Sequence, residues 1–193
     1  MIKEFFRSLR ILLILSIIIG VVYPFFITGL AQFFFPFQAN GSIIKREGKA
    51  IGSALIGQQF TGSGYFNGRP SAVDYNAASS GASNWGPTNK KLMDAVKERV
   101  TSLYRENPME TMKTIPADLV LASASGLDPH ISPEAAMFQT GRISAARKIP
   151  KTQVIELIRK QQERPQFGFL GVTRVNVLNL NLALDALEKK HEQ

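Results

Sequence analysis

The chain carries no charged side chain across residues 11–44, a gap of 34 positions between Arg10 and Lys45. A soluble domain has little use for so long an uncharged stretch, whereas a bilayer crossing demands one, because every backbone polar group inside lipid must be satisfied within the segment itself. As a helix, residues 9–35 would run about 40 Å at ~1.5 Å per residue, enough to cross a hydrocarbon core of roughly 30 Å with some tilt. The competing reading is a secretory signal, whose apolar stretch is about 7–15 residues and ends in a small-residue cleavage site. Here the run is longer and leads into Phe33, Phe34, Phe35 and Phe37. The expectation is an uncleaved single-pass anchor over residues 11–35, preceded by a cytoplasmic 1–10 and followed by a membrane exit at 36–44. Tyr23 and the phenylalanine cluster would serve as interfacial aromatics. Lys3, Arg7 and Arg10 flank the first end closely, while the second has no charge before Lys45 and Arg46. That bias predicts a cytoplasmic N-terminus and residues 45–193 outside the cytoplasm, at the plasma (inner) membrane if the source is bacterial.

Within the anchor Ser16, Gly20, Pro24 and Thr28 recur every four residues. Small residues at that spacing form a slowly drifting stripe where a second membrane helix could approach closely. Gly and Pro are also common in membrane helices for no such reason, and the sequence leaves both readings open. Ser16, Gly20 and Pro24 are the candidate contact residues.

The chain's 193 residues allow one average domain beyond the anchor, too little for a channel or pump acting alone. The net charge of +8 calls for an anionic surface or partner, though the excess is spread along the chain. Absence of cysteine excludes disulfide frameworks, zinc–thiolate and iron–sulfur sites and cysteine nucleophiles. With only His130 and His191, a histidine-rich metal site is excluded too, and no metal site is expected.

Beyond the anchor the pattern predicts a small mixed α/β domain with a short sheet. Nine of the 15 glycines lie within residues 41–86, so that stretch should be rich in loops, with a short strand at 54–58. Thr88 is placed to cap a helix whose face carries Leu92, Val96, Val100 and Leu103 and which ends near Glu106. Residues 118–122 read as a buried strand. Ser132 followed by Pro133 predicts a capped helix to about Lys148. Another helix is expected over 151–162, then a strand over 174–178 and a terminal helix capped by Asn179 or Asn181.

No phosphate-binding loop, dinucleotide fingerprint, H-E-x-x-H or G-x-S-x-G is present. The densest polar constellation places Ser123, Ser125, Asp128, His130 and Ser132 within ten positions. A Ser, His and Asp set invites the reading of an extracytoplasmic hydrolase using His130. Residues crowded into one turn rarely achieve triad geometry, however. The local reading is a turn at Asp128 and Pro129, with Ser132 capping the next helix and His130 bonding to loop backbone. Residues 65–76 and 79–89 combine aromatics with Arg69, which could suggest single-stranded nucleic-acid binding. The outward topology argues against nucleic acid, and the abundance of Asn, Gly, Ser and Pro fits ordered turns presenting a rigid surface. Arg69, Asn84, Asp128, His130 and Ser132 are therefore candidate interface or structural residues, with no catalytic residue assigned. A membrane-tethered binding protein unconnected with transport is the remaining rival.

The same residues carry a resemblance. LIGQ at 55–58, YFNGRPSA at 65–72, GPTN at 86–89, SGLDPHISPEAA at 125–136 and RVNVLNLNLALD at 174–185, together with the single N-terminal helix, resemble the C subunit of Kdp, the bacterial ATP-driven potassium transporter. Trp85, Leu121, Ala124, Val172 and Thr173 depart from the pattern expected of that family. The resemblance implies an accessory, non-catalytic subunit of a high-affinity potassium uptake complex. Its partners would be a channel-like potassium-translocating subunit, a P-type ATPase subunit, a small membrane peptide and the lipid bilayer. The subunit would have no cofactor of its own, since ATP and potassium are handled by the complex. It further implies a catalytic-chaperone role in raising ATP affinity through a glutamine, at Gln58 here. That nucleotide-related role conflicts with a domain outside the cytoplasm.

Overall fold

The computed structural model describes residues 2–108 and 114–191. The chain forms two compact units, Met1–Ile51 and Gly52–Gln193.

The first unit is dominated by one apolar helical rod, Ile2–Phe34, 33 residues long, whose most apolar 18-residue window has mean hydropathy 2.6 and is not buried against protein. A surface that apolar and that uncovered suits lipid and not water. The rod comprises α1 (Ile2–Ile17), a wide π turn (Ile18–Val22) and α2 (Tyr23–Phe34). Pro24 explains the π turn, because it has no N–H to donate to Gly20 and its ring crowds that carbonyl. Widening the preceding turn relieves the crowding, and the Tyr23 N–H reaches back to the Ile18 carbonyl. The wide turn has a second effect. A four-residue repeat overshoots a 3.6-residue turn by about 40°. A wider turn between Ser16 and Pro24 takes back part of that drift, which holds the small-residue stripe closer to one face.

Phe35 leaves the helical region at φ −135°, the conformation favoured before a proline, and Pro36 opens the one-turn helix α3 (Pro36–Ala39). Asn40 closes it, its Nδ2 donating to the Pro36 carbonyl at 2.6 Å. A two-stranded hairpin follows, β1 (Ile43–Arg46) and β2 (Lys49–Ser53), turning through Glu47 and Gly48, both at positive φ.

The second unit is built on a three-stranded antiparallel sheet of order β3–β5–β4, formed by His130–Ile131, Arg174–Asn176 and Gln162–Glu163. Ile131 pairs with Val175, and Val175 with Gln162, so the buried Ile131 and Val175 lie in one row. Around the sheet pack α4 (Lys90–Glu106), α5 (Pro133–Phe138), α6 (Thr140–Arg147), α7 (Lys151–Lys160) and α8 (Val177–His191). Phe66, Phe138, Ile143, Val154, Ile158, Leu180 and Leu184 form the centre of a continuous apolar core. At roughly 1.5–3 kcal/mol for each such side chain, this burial supplies the main drive to fold.

Several local expectations are corrected. Residues 54–58 are not a strand: the Ser53 hydroxyl accepts the Leu55 N–H at 3.1 Å and the Ile56 N–H turns back to the Ser53 carbonyl, so the chain bends as soon as β2 ends. Residues 118–122 are not a strand either. Ala117–Leu119 is a 3₁₀ turn that buries Leu119 and Val120 side by side, which an alternating pleat could not do. The helix expected from Ser132 to Lys148 is divided at Gln139 into α5 and α6, and Lys148 ends it in the left-handed conformation. Asn89, not Thr88, caps α4 by accepting the Lys91 N–H. Asn176, and neither Asn179 nor Asn181, caps the start of α8, accepting the Asn179 N–H at 3.1 Å.

Candidate functional site

The loops of residues 54–89 contain no regular element, yet they are held at many points by side chains of the regular part. Asn181 of α8 grips Phe66 twice, its Oδ1 accepting the Phe66 N–H at 2.8 Å and its Nδ2 donating to the Phe66 carbonyl at 3.0 Å. Gln139 grips the next residue in the same way, accepting the Asn67 N–H at 2.8 Å and donating to the Asn67 carbonyl at 3.1 Å. Each amide supplies the donor and acceptor that a neighbouring strand would have supplied. Arg147 is a third clasp. It lies over the Tyr65 ring at 4.4 Å, donates to the Gly64 carbonyl at 2.7 Å and pairs with Asp185 and Glu188 of α8.

This clamping fixes Arg69, whose Nη1 meets Asp128 Oδ2 at 3.1 Å. Asp128 Oδ1 also accepts the His130 N–H at 3.0 Å and lies 3.6 Å from His130 Nδ1. The other His130 nitrogen lies 3.5 Å from Glu163, which accepts Arg174 Nε at 2.9 Å. Arg69, Asp128, His130, Glu163 and Arg174 thus form one partly exposed row of linked polar side chains, basic and acidic groups alternating with the imidazole at its centre. Burial raises the Asp128 carboxyl, but hydrogen bonds from His130 and Arg69, with the Arg69 charge, outweigh it and hold the carboxyl below its ordinary value.

The 122–130 loop is stitched to its neighbours mostly through backbone. Gly57 donates to Leu127 at 2.8 Å, Gly81 to Ser125 at 2.9 Å and Ser123 to Pro70 at 3.1 Å. Ser71 donates to the Gly126 carbonyl at 2.7 Å while accepting the Val73 and Tyr75 N–H groups. Gly57 is required by this closeness, since a Cβ there would lie 2.6 Å from the Asp128 carbonyl oxygen.

Ser132 caps α5 as expected, accepting the Ala135 N–H at 3.0 Å. It is itself held by Asp118, whose carboxylate accepts both the Ser132 N–H, at 2.5 Å, and the Ser132 hydroxyl, at 3.2 Å. Asp118 can reach Ser132 because it lies in the 3₁₀ turn Ala117–Leu119 and not in a strand, so a strand pattern over 118–122 gives no sign of this role. The Gln58 amide packs onto Gly52, filling the space a Cβ there would need. Asn84 is an exposed turn residue at φ +53° and is not drawn into the row. Ser16, Gly20 and Pro24 belong to the helical rod of the other unit. Trp85 and Leu121, two of the departures from the expected family pattern, line one cavity of about 500 Å³ with Ser71, Leu92 and Arg99.

The geometry does not support a serine hydrolase on His130. Both imidazole nitrogens face carboxylates, leaving neither to accept a proton from a serine. The nearby hydroxyls of Ser71 and Ser132 are engaged with backbone, and Ser125 Oγ accepts the Leu127 N–H. Among the described residues no cluster of three or more His, Asp or Glu could hold a metal ion.

Comparison with known proteins agrees with the motifs. The family model described as K+-transporting ATPase, c chain (KdpC), matches residues 5–186. The potassium-transporting ATPase KdpC subunit of Methylococcus capsulatus (strain Bath) is 52% identical over 190 residues, covering 97% of this chain and 100% of the relative. That of Polaromonas naphthalenivorans is 51% identical over 184 residues, covering 94% and 93%. That of Caldanaerobacter subterraneus is 45% identical over 191 residues, covering 99% of each.

Proposed function

The chain belongs to the KdpC family, the non-catalytic c chain of the Kdp K+-transporting ATPase, and from that membership we propose that it works as a membrane-tethered clamp on the transporter's extracytoplasmic side. The helix Ile2–Phe34 anchors it with the N-terminus in the cytoplasm, and the second unit meets the partner subunits. Those partners are the channel-like potassium-translocating subunit, the P-type ATPase subunit and the small membrane peptide. ATP and potassium are bound by the partners, and this chain needs no cofactor of its own.

The observation that carries the reading is the loop surface built by Asn181, Gln139 and Arg147. Three buried or nearly buried side chains hold an irregular stretch of backbone in one shape while leaving no acid, base and nucleophile set in reach of one another. That is the construction of a rigid recognition surface, since loops held by a scaffold present contacts without the entropy cost of ordering on binding. Gln58 has a structural role in it, its amide closing over Gly52, and an outward-facing domain never meets cytoplasmic ATP.

The test is protease added to sealed, right-side-out cells or spheroplasts. The second unit should be digested from outside while the N-terminus stays protected. Protection of the domain there, with digestion in inverted vesicles, refutes the outward assignment and restores nucleotide contact at Gln58. Copurification of the full chain with the larger Kdp subunits from native membranes tests the partner assignment separately.

A further inference from the structure

The link between β4 and β5, residues 164–173, is an apolar hairpin tip. Phe167 is 87% exposed, Phe169 75%, Val172 75% and Leu170 49%. Between Phe167 and Val172 only glycine separates these side chains, so the tip offers no polar side chain through which a protein partner could be read. The tip is nevertheless well ordered by its backbone. Gln166 and Leu170 exchange both hydrogen bonds, at 3.0 and 2.9 Å, and the Phe169 N–H turns back to the Gln166 carbonyl at 3.2 Å. Phe167 and Gly168 both take positive φ, +53° and +83°, as the central pair of a tight hairpin turn. Asn or Asp normally precedes the glycine in such a turn. A phenylalanine there is strained, because its Cβ crowds the following carbonyl, and strain of that kind is found where a site uses it. The exposed Arg164 begins the link that leads to the apolar tip, and Arg174 at the base of the hairpin is paired to Glu163.

We propose that this tip inserts into the bilayer interface, with Phe167, Phe169, Leu170 and Val172 among the upper acyl chains and Arg164 on an anionic lipid phosphate. Aromatic and aliphatic residues ahead of basic ones are the arrangement that interfacial binding selects, the apolar part gaining by burial and the cations by attraction to the headgroups. The occupant is a membrane because the same chain carries a bilayer-crossing helix, so lipid is present at high effective concentration. The inference rests on the anchor reading and adds a second, reversible membrane contact made by the folded domain.

The test uses the full chain in liposomes containing phosphatidylglycerol. The chain has no cysteine, so a single Phe169→Cys can carry an environment-sensitive fluorophore at one position, with Val172→Cys as a second reporter and Phe26→Cys as the control in the anchor. Insertion predicts blue-shifted emission, protection from aqueous iodide and stronger quenching by shallow than by deep lipid-borne nitroxides at both tip positions. Arg164→Glu, or liposomes of neutral lipid, should lower the inserted-to-free ratio about fivefold or more. Water-like, iodide-sensitive emission at the tip with a nitroxide-quenched Phe26 reporter overturns the proposal and leaves the anchor intact. A Phe26 reporter insensitive to lipid nitroxides overturns the anchor reading and this proposal together. A tip shielded from iodide only after the other Kdp subunits are added, and never quenched from lipid, overturns it in favour of an apolar protein cleft.

Discussion

Replacing Asn181 tests whether the loop surface is held by the amide grip itself or only by the packing around it. Asn181 is 2% exposed and satisfies both polar groups of the Phe66 backbone, while the Phe66 side chain is fully buried. Asn181→Leu keeps most of the volume but leaves one buried N–H and one buried carbonyl without partners. At roughly 1–3 kcal/mol for each orphaned group, the loss should be about 2–6 kcal/mol. Asn181→Ala should cost at least as much, because it adds a cavity. The full chain in detergent can be unfolded with urea and followed by Trp85, its sole tryptophan, which lies in the same compact unit as the clamp. With a slope of about 2 kcal/mol per molar urea, the midpoint for Asn181→Leu should fall by about 1–3 M. Gln139 grips the adjacent residue, so Gln139→Leu should couple non-additively with it. A midpoint for Asn181→Leu within about 0.3 M of the parent would show that volume alone matters and that the grip contributes nothing.

The lowered Asp128 carboxyl has a definite pH signature. A group depressed in the folded state stabilises fully above its unfolded value, near 3.9, and loses that contribution as pH falls through the folded value. The stability gap between the parent and Asp128→Asn should therefore be constant above about pH 5 and close below about pH 4, and a gap that widens with acid contradicts the Arg69 and His130 pairing. Because His130 joins two carboxylates and meets no nucleophile, His130→Ala should leave ATP-driven potassium uptake within about twofold per assembled complex, while weakening assembly; normal assembly with collapsed uptake refutes the structural role. A Cβ at Gly20 would meet nothing within 4 Å. Gly20→Leu should thus leave the helix intact and reduce copurification with the larger subunits, and unchanged copurification and transport would leave the small-residue stripe without a partner.

The sequence determined the anchor almost unaided, because satisfaction of a membrane helix is local: every backbone bond lies within the segment, and the absence of charge is visible residue by residue. The Ser132 cap with Pro133 behind it, the apolar face of α4 and the start of a strand at Arg174 were legible too, for these depend on neighbours a few positions away, although Val177 and Leu178, expected to continue that strand, open α8 instead. The wide turn before Pro24 follows from the missing proline N–H and was legible in principle, since proline always removes that donor. Only the tertiary structure decided what the polar residues were for. Asn181 and Gln139 look like surface or capping residues until Phe66 and Asn67 are seen in their grip, more than seventy and a hundred positions away. Asp118 has meaning only against Ser132, Gly57 only against the Asp128 carbonyl, and His130 only between Asp128 of the preceding loop and Glu163 of β4. An apolar residue announces burial by its own chemistry, whereas a buried polar residue is defined by the partner that satisfies it, and no local pattern in the chain specifies that partner.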